Sequence, residues 1–249
     1  MIHFSSRKIF LLFVLSSLLT FSANAESFDK ILDDFIEEKS KNYLGLSVEA
    51  GISIPYFYQP LSVSPALFSG KIECPAFDID AQARYQISSS NIVISSMFSY
   101  GWQGVSSKNM WNNGTFNGMQ GTNWSLLAGA GYSFKTKNEK LHFVPSAVIG
   151  MRNEKLSGSL LLTSLDKVLA KNSYDYSATD FEVGADFYFM RKFNDLWGIS
   201  LSVTPLVTFY STGSLYIKDY IRFSKWDLDC SSRNGSFILD SKINFVLYW

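Results

Sequence analysis

The sequence predicts an all-β protein, a closed antiparallel up-and-down barrel that crosses a membrane with eight strands. Three observations support this fold class: eight segments of alternating apolar and polar residues, connections that are long and short in turn, and an amino-terminal export signal. After residue 25 no stretch contains the roughly 20 consecutive apolar residues that a membrane-spanning helix needs. Yet 47% of the residues are hydrophobic and only 18% are charged, so the mature chain has to bury a large apolar surface or place it against lipid.

The first 25 residues have the three parts of a secretory signal peptide. Arg7 and Lys8 form a basic start, residues 9–21 form an apolar core, and residues 23–25 read Ala-Asn-Ala, a small-residue cleavage site. Because the apolar core is too short to span a bilayer, we expect cleavage after Ala25. Residues 26–42 follow as an amphipathic segment, predicted either as a short periplasmic helix or as a mobile terminus. Residues 43–249 are predicted to form the barrel.

Each barrel segment has an apolar residue at every second position and a more polar row between, the pattern of a strand with two different faces. The segments are residues 44–54, 77–87, 92–102, 124–134, 141–151, 181–189, 197–209 and 237–249. A soluble β-sandwich also alternates, but its strands usually contain about 5–6 residues. These segments are long enough to cross a bilayer at the tilt of a barrel. The apolar rows, none of which contains a charge, are therefore predicted to face lipid.

The opposite rows are predicted to line the lumen, and they contain nine charged residues: Glu49, Asp78, Asp80, Arg84, Arg152, Glu182, Asp186, Asp240 and Lys242. Buried charges need partners, so the three basic residues are expected to pair with the acidic ones and to plug the lumen. The other lumen positions include an apolar stripe of Val93, Met97, Leu127, Val144, Val148 and Leu206. That stripe indicates either a path for a small apolar ligand or ordinary packing.

The connections alternate in length. Residues 55–76, 104–123, 153–180 and 210–236 are long, and residues 88–91, 135–140 and 190–196 are short. Outer-membrane barrels have short periplasmic turns and longer extracellular loops, so both termini are expected in the periplasm. Within the long connections, residues 160–171 are predicted as a helix, and residues 215–226 have strand-like composition. A ten-strand barrel is therefore the structural alternative.

Cys74 and Cys230 are the two cysteines of the chain, and both fall in long connections. They precede strands that closure of the barrel places on either side of the first strand. An oxidising location favours a disulfide across the mouth of the barrel, whereas two free thiols are the alternative, because loop positions are not fixed by the sequence.

The last residues have a pattern of their own, with Ile243, Phe245, Leu247 and Trp249 alternating up to a terminal aromatic residue. Together with the eight segments, this ending resembles the small eight-stranded outer-membrane proteins of diderm bacteria, the OmpA, OmpX and OmpW kinds, over residues 43–249. The resemblance implies that these four residues are the signal read by the barrel-assembly machinery. It also implies a monomer in the outer membrane, surrounded by lipid, with its long loops extracellular.

Residues that would support catalysis are scarce. After the signal peptide His142 is the one histidine, and it lies at the periplasmic end of its strand. No metal-ligand spacing or phosphate-binding loop occurs, so no cofactor and no enzymatic activity are expected. The mature chain has two more acidic than basic residues, which argues against a nucleic-acid partner. We expect an integral outer-membrane barrel with a structural or narrow-permeation role and a largely filled lumen. The alternative is a surface ligand-binding protein or adhesin that contacts a host through its four long loops.

Overall fold

The computed structural model of the chain describes residues 45–64, 70–87, 90–105, 118–136, 140–164, 167–194, 196–232 and 236–248. The predicted signal peptide, the predicted amphipathic segment 26–42 and Trp249 lie outside these ranges. The described residues form eleven strand segments: β1 (Leu46–Ser53), β2 (Tyr56–Ser64), β3 (Gly70–Gln86), β4 (Ile92–Val105), β5 (Met119–Tyr132), β6 (Phe134–Lys135), β7 (Leu141–Ser164), β8 (Lys167–Lys192), β9 (Trp197–Asp219), β10 (Ser224–Ser232) and β11 (Phe237–Tyr248). In these ranges no helix is long and apolar enough to cross a membrane.

The segments pair in antiparallel fashion around a ring. From β3 the pairing passes through β4, β5, β7 and β8 to β9. Strand β9 pairs with β11, β11 pairs with β1, and β1 pairs with β3. The first and last strands therefore meet, and the sheet closes into an up-and-down barrel, as the alternating pattern predicted.

The predicted count of eight strands is not confirmed. Ten of the described segments contain at least eight residues, and β6 contains two. Interruptions account for much of the difference. Pro55, which lacks an N–H for the ladder, separates β1 from β2, and both of these pair with β3 and with β11. In the same way β10 and β11 both pair with β9 and with β2. Ten was the alternative count, and residues 215–226 contribute to it through the end of β9 and the start of β10.

Three strands are much longer than a membrane crossing requires. β7 contains 24 residues, β8 contains 26 and β9 contains 23, whereas a tilted transmembrane strand needs about 9–11. β7 and β8 stay paired up to Ser164 and Lys167. The helix predicted over residues 160–171 is therefore wrong, because its described residues belong to this ladder. The connections predicted over 153–180 and 210–236 are likewise mostly strand.

The two faces of the wall exchange their chemical character part-way along these strands. In the half of the barrel that holds the chain's carboxyl terminus, the outward side chains are apolar. Ile79 and Ile149, for example, are 52% and 55% exposed. Further along, the inward side chains are apolar instead, as at Tyr176 and Leu215, which are buried, while Asp175 points outward. Where lipid surrounds the wall, apolar side chains point outward into it, and where water surrounds the wall, they point inward, away from the water. We call the first region the apolar belt, and its outward row on β4 ends at Trp102. The second region, formed by β2, β10 and the far ends of β3, β7, β8 and β9, is the extension.

Candidate functional site

The lumen of the belt contains all nine charged residues that the sequence assigned to it. Each is at most 3% exposed. The sequence pattern predicted which face these residues occupy, because period-two alternation gives every strand one inward row. It did not predict which charges meet, since that depends on the register between strands.

Arg84 on β3 is the centre of a first cluster, which we call the Arg84 cluster. Its guanidinium lies 3.2 Å from Glu49 Oε1 and 2.9 Å from Asp186 Oδ2, and its Cζ lies 3.8 Å from the centre of the Tyr188 ring. Asp186 and Tyr188 belong to β8, which is not adjacent to β3 in the ring. The ion pair therefore crosses the lumen rather than linking neighbouring strands.

The acidic partners of Arg84 have further donors. Glu49 accepts hydrogen bonds from the hydroxyls of Tyr188 at 2.8 Å and Ser200 at 2.7 Å, and Asp186 accepts one from Thr204 at 2.8 Å. Charge-assisted hydrogen bonds of this kind compensate for the loss of water around a buried carboxylate. The cluster thus has neutral donors as well as a counter-charge, which is what a permanently buried plug requires.

Arg152 on β7 is the centre of a second cluster, the Arg152 cluster, nearer the extension. Its Nε lies 3.1 Å from Glu182 Oε1, and its Nη1 lies 3.8 Å from Asp78 Oδ2. Asn123 joins the two sides, because its amide oxygen accepts from Arg152 at 3.1 Å and its nitrogen donates to Asp78 at 3.2 Å. Asp78 lies on β3, which is not adjacent to β7, so this cluster also crosses the lumen.

The remaining predicted charges lie between these clusters and make shorter-range contacts. Lys242 Nζ is 3.2 Å from Asp240 Oδ2 on the same strand. Asp80 Oδ2 accepts a hydrogen bond from Gln82 at 3.1 Å. Both contacts are buried, so they add to the polar filling of the barrel.

Sequence reasoning missed a further acidic pair, Glu154 and Asp180, which are both fully buried. Asp180 accepts hydrogen bonds from Gln59 Nε2 and Ser232 Oγ, each at 2.8 Å, and from Ser211. Glu154 and Asp180 share the inward parity of Arg152 and Glu182. That shared parity was the signal that could have identified them. The sequence pattern places both residues in a predicted loop over residues 153–180, where side-chain parity has no meaning.

Apolar side chains fill the lumen on both sides of the charged layers. The residues of the predicted apolar stripe are each at most 2% exposed. Met97, Leu127, Val148 and Leu206 belong to a large cluster that continues into the extension, and Val93 and Val144 belong to a smaller one near the carboxyl terminus. These residues pack against other side chains, which favours the packing interpretation of the stripe over a path for an apolar ligand.

Cys74 and Cys230 are both free and buried, so the disulfide considered from the sequence is absent. The strand register gives the reason. Cys74 pairs with Phe57 on one side of β2, and Cys230 pairs with Val63 on the other. Six residues of strand separate these levels by about 20 Å, whereas disulfide formation requires Cα atoms within about 7 Å.

The outer surface of the belt has an aromatic band near the carboxyl-terminal end. Phe143 stacks on Phe189 with ring centres 4.6 Å apart, and Trp197 stacks on Phe245 at 5.7 Å. Aromatic residues collect at membrane interfaces in outer-membrane barrels. In the predicted assembly signal, Ile243, Phe245 and Leu247 point outward from β11 and are 40–48% exposed. The described residues contain no group of three or more His, Cys, Asp or Glu side chains arranged to hold a metal ion.

Comparison with solved structures identifies the same class of fold. The outer membrane protein OprG from Pseudomonas aeruginosa aligns over 84% of this chain and 98% of its own, with a TM-score of 0.51 and 6% sequence identity. A major outer membrane protein from Thermus thermophilus aligns over 81% of this chain and 98% of its own, with a TM-score of 0.49 and 9% sequence identity. Neisserial surface protein A aligns over 84% of this chain and 99% of its own, with a TM-score of 0.43 and 12% sequence identity. The chain has the fold of a small outer-membrane β-barrel.

No protein-family model and no curated protein matches the sequence. The similarity to OprG, at so low an identity, concerns the fold alone.

Proposed function

We propose that this protein is a closed, non-enzymatic structural barrel of the outer membrane. The observation that carries the proposal is that the Arg84 and Arg152 clusters each span the lumen, joining β3 to β8 and β3 to β7. A narrow-permeation role would need a continuous water path past both clusters. A barrel of this size encloses little more space than its own side chains occupy.

We also propose that the extension lies outside the cell and that both termini lie in the periplasm. The end of the barrel that carries the carboxyl terminus has the short connections, such as residues 193–196 between β8 and β9. The other end has the extension, whose outward polar and inward apolar faces suit water. Short periplasmic turns and longer outer segments are the usual arrangement in such barrels, and lipid is the partner along the whole belt.

Planar-bilayer conductance tests the closed lumen. We expect no stepwise current from the wild-type protein, and brief small steps from a variant with both Arg84→Ser and Arg152→Ser. The acidic residues left behind would make those steps cation-selective. A heat-modifiable gel band for each protein checks that it is folded. Steady current through the wild-type barrel would show that it is a narrow pore instead.

A second candidate function, binding at the cell surface, is favoured by the tip of the β9–β10 hairpin. Phe223 is 91% exposed there and has a positive φ of 53°, which is uncommon for a large residue. The backbone N–H groups of Ile221 and Arg222 donate to Asp219 Oδ1 at 2.8 and 3.1 Å, so the turn is fixed. A fixed turn that presents an aromatic side chain is suited to contact with a partner such as a host protein.

The test of this second candidate is adhesion of bacteria that display the protein to immobilised host-matrix proteins. We expect Phe223→Ser to reduce adhesion if the tip makes the contact, and Trp226→Ser to serve as a nearby comparison. Equal adhesion by displaying and non-displaying bacteria would exclude the binding role and leave the structural one.

A further inference from the structure

A hollow lies on the outer face of the wall where β4 and β5 leave the apolar belt. It has a volume of about 410 Å³ and is lined by Trp102, Gln103, Gly104, Gln120, Gly121 and Thr122. Two of the six are glycines, and a Cβ added at Gly104 would meet no atom within 4 Å. The missing side chain at Gly104 therefore leaves a recess in the wall between Trp102 and Gln120.

The depth of the hollow follows from the outward row of β4. Ile94, Phe98 and Tyr100 face outward below it and are 41–47% exposed. Trp102, at its lower edge, is the last of this apolar row, and Gly104 is the next outward position. Tryptophan is the residue type that marks the membrane–water interface in such barrels. The hollow thus begins at the level where hydrocarbon ends and lipid headgroups begin.

The polar groups around the hollow come from three adjacent strands. Thr122 on β5 is opposite Trp102 on β4, and Gln120 is opposite Gly104. On the other side of β5, Lys155 of β7 is directly opposite Thr122, and it is exposed. The nearest outward acidic residue on β8, Asp175, is one row higher, opposite Ser157. Four outward groups therefore lie close together at the headgroup level: the ammonium of Lys155, the hydroxyl of Thr122, the amide of Gln120 and the indole of Trp102.

We propose that this hollow binds the phosphorylated sugar headgroup of a glycolipid in the outer leaflet. The indole of Trp102 supplies an apolar face against which a sugar ring packs. Gln120 and Thr122 supply donors and acceptors for sugar hydroxyls, and Lys155 supplies a point charge for a phosphate. The proposal rests on the orientation proposed above, which places the extension outside. A glycerophospholipid has the phosphate without the sugar ring, so it would use Lys155 and leave the recess beside Trp102 empty.

The test measures lipid binding to the detergent-solubilised full-length barrel by native mass spectrometry. The probes are a bis-phosphorylated disaccharide lipid, the same lipid after phosphatase treatment, and phosphatidylglycerol. We expect the phosphorylated disaccharide lipid to bind at least tenfold more tightly than either of the other two, because it alone satisfies both the cation and the recess.

Two variants and one control separate the parts of the site. Lys155→Gln should weaken binding of the phosphorylated lipid roughly tenfold and leave binding of the dephosphorylated lipid unchanged. Gly104→Leu, whose side chain has room to extend into the recess, should weaken binding of both. Lys225→Gln removes an exposed lysine from β10, away from the hollow, and should change neither. The proposal is overturned if Gly104→Leu and Lys155→Gln bind like the wild type, or if Lys225→Gln weakens binding as much as Lys155→Gln.

The orientation needs its own measurement, so that its failure can be told apart from failure of the site. Lys225→Cys in the intact cell should react with a membrane-impermeant maleimide, because Lys225 is exposed on the extension. A labelled Lys225→Cys with no lipid preference would refute the site alone. An unlabelled Lys225→Cys in a protein whose barrel is folded would refute the orientation.

Discussion

At the scale of single residues, the buried arginines explain how a narrow barrel holds so many charges. Arg84 contacts two carboxylates, the amide of Gln82 and the ring of Tyr188. Removing one member of a buried ion cluster leaves the others without compensation, which costs more than the cluster contributes as a whole. The arginines should therefore be the residues of the lumen that tolerate substitution least.

Arg84→Met keeps much of the side-chain volume and removes the charge. We expect it to lower the free energy of unfolding by about 3–5 kcal/mol, measured by urea unfolding in lipid vesicles with tryptophan fluorescence. Arg191→Met is the matched control, because Arg191 is an exposed arginine at the carboxyl-terminal end of the barrel. A loss for Arg84→Met no greater than that of the control would mean that the cluster is solvated and does not plug the lumen.

The cysteines provide a second prediction at this scale. Both lie beyond the belt. Burial raises the pKa of the Cys74 thiol to about 12, with a smaller contribution from Glu154. Burial also raises the pKa of the Cys230 thiol to about 12. At pH 8 only about one thiol in ten thousand would then be ionised. We expect alkylation by iodoacetamide to be very slow in the folded protein, to accelerate as the pH rises towards 12, and to be fast after denaturation.

Mass spectrometry of the alkylated protein checks this expectation, because it counts the labelled thiols directly. The denatured, unreduced protein should take up two labels, since both cysteines are free. Fast labelling of the folded protein at pH 8 would show that the interior of the extension admits solvent.

At the scale of strands, the sequence pattern predicts the segments whose outer face contacts lipid, but it does not predict their continuation into the extension, whose outer face contacts water. The outward row of β8, including Phe181 and Phe187, was recognised because every second residue is apolar and none is charged. Beyond Phe181 the apolar residues change to the inward parity, with Tyr174 and Tyr176. The row of apolar outward residues ends where that parity changes, so the sequence pattern predicts a loop where the structure has strand. Glu154 and Asp180 were missed for the same reason.

The breaks in the strands also follow from local chemistry. Pro55 occupies the gap between β1 and β2, where it accepts a hydrogen bond from Ala76 N at 2.8 Å but has no N–H to donate. The residue type alone does not predict such a gap, because Pro145 and Pro205 lie inside the uninterrupted strands β7 and β9. The pairs of side chains that meet across the lumen are not predictable either, because Arg84 and Asp186 are separated by 102 positions and meet only after the ring closes.

The belt itself can be tested on β11. Ile243 points outward near the middle of the belt, opposite Ile52 and Leu201. A charge on the lipid-facing surface at mid-depth costs about 2–4 kcal/mol, and near the interface about 0–1 kcal/mol. We therefore expect Ile243→Arg to lower the free energy of unfolding in lipid vesicles by that larger amount. Ser214→Arg, at an exposed position of β9 in the extension, should change it little. Equal effects at both sites would contradict the placement of the membrane.

At the scale of the whole molecule, the same sheet is surrounded by lipid in its lower part and by water in its upper part. Its lower part has lipid outside and a polar, charge-paired interior, and its upper part has a polar outside and an apolar interior that includes Leu215 and Ile217. Closure is required in the lower part, because an open edge in lipid would leave backbone groups without partners. In that part the ring is closed by the contact between β1 and β11.

A disulfide placed across that contact tests the closure. Val48 and Leu247 are Cα partners that both point outward, and facing residues of an antiparallel pair lie about 4.5–5.5 Å apart, within disulfide range. In a background with Cys74→Ala and Cys230→Ala, we expect Val48→Cys with Leu247→Cys to cross-link under a membrane-permeable oxidant. The boiled, unreduced chain should then migrate faster on a gel than the reduced one, because its ends are joined. Val48→Cys with Ile243→Cys, displaced by four residues or about 13 Å, should stay reduced. If that displaced pair cross-links as well, or if the facing pair fails to in a folded barrel, then β1 and β11 do not pair in this register and the ring is not closed where the structure closes it.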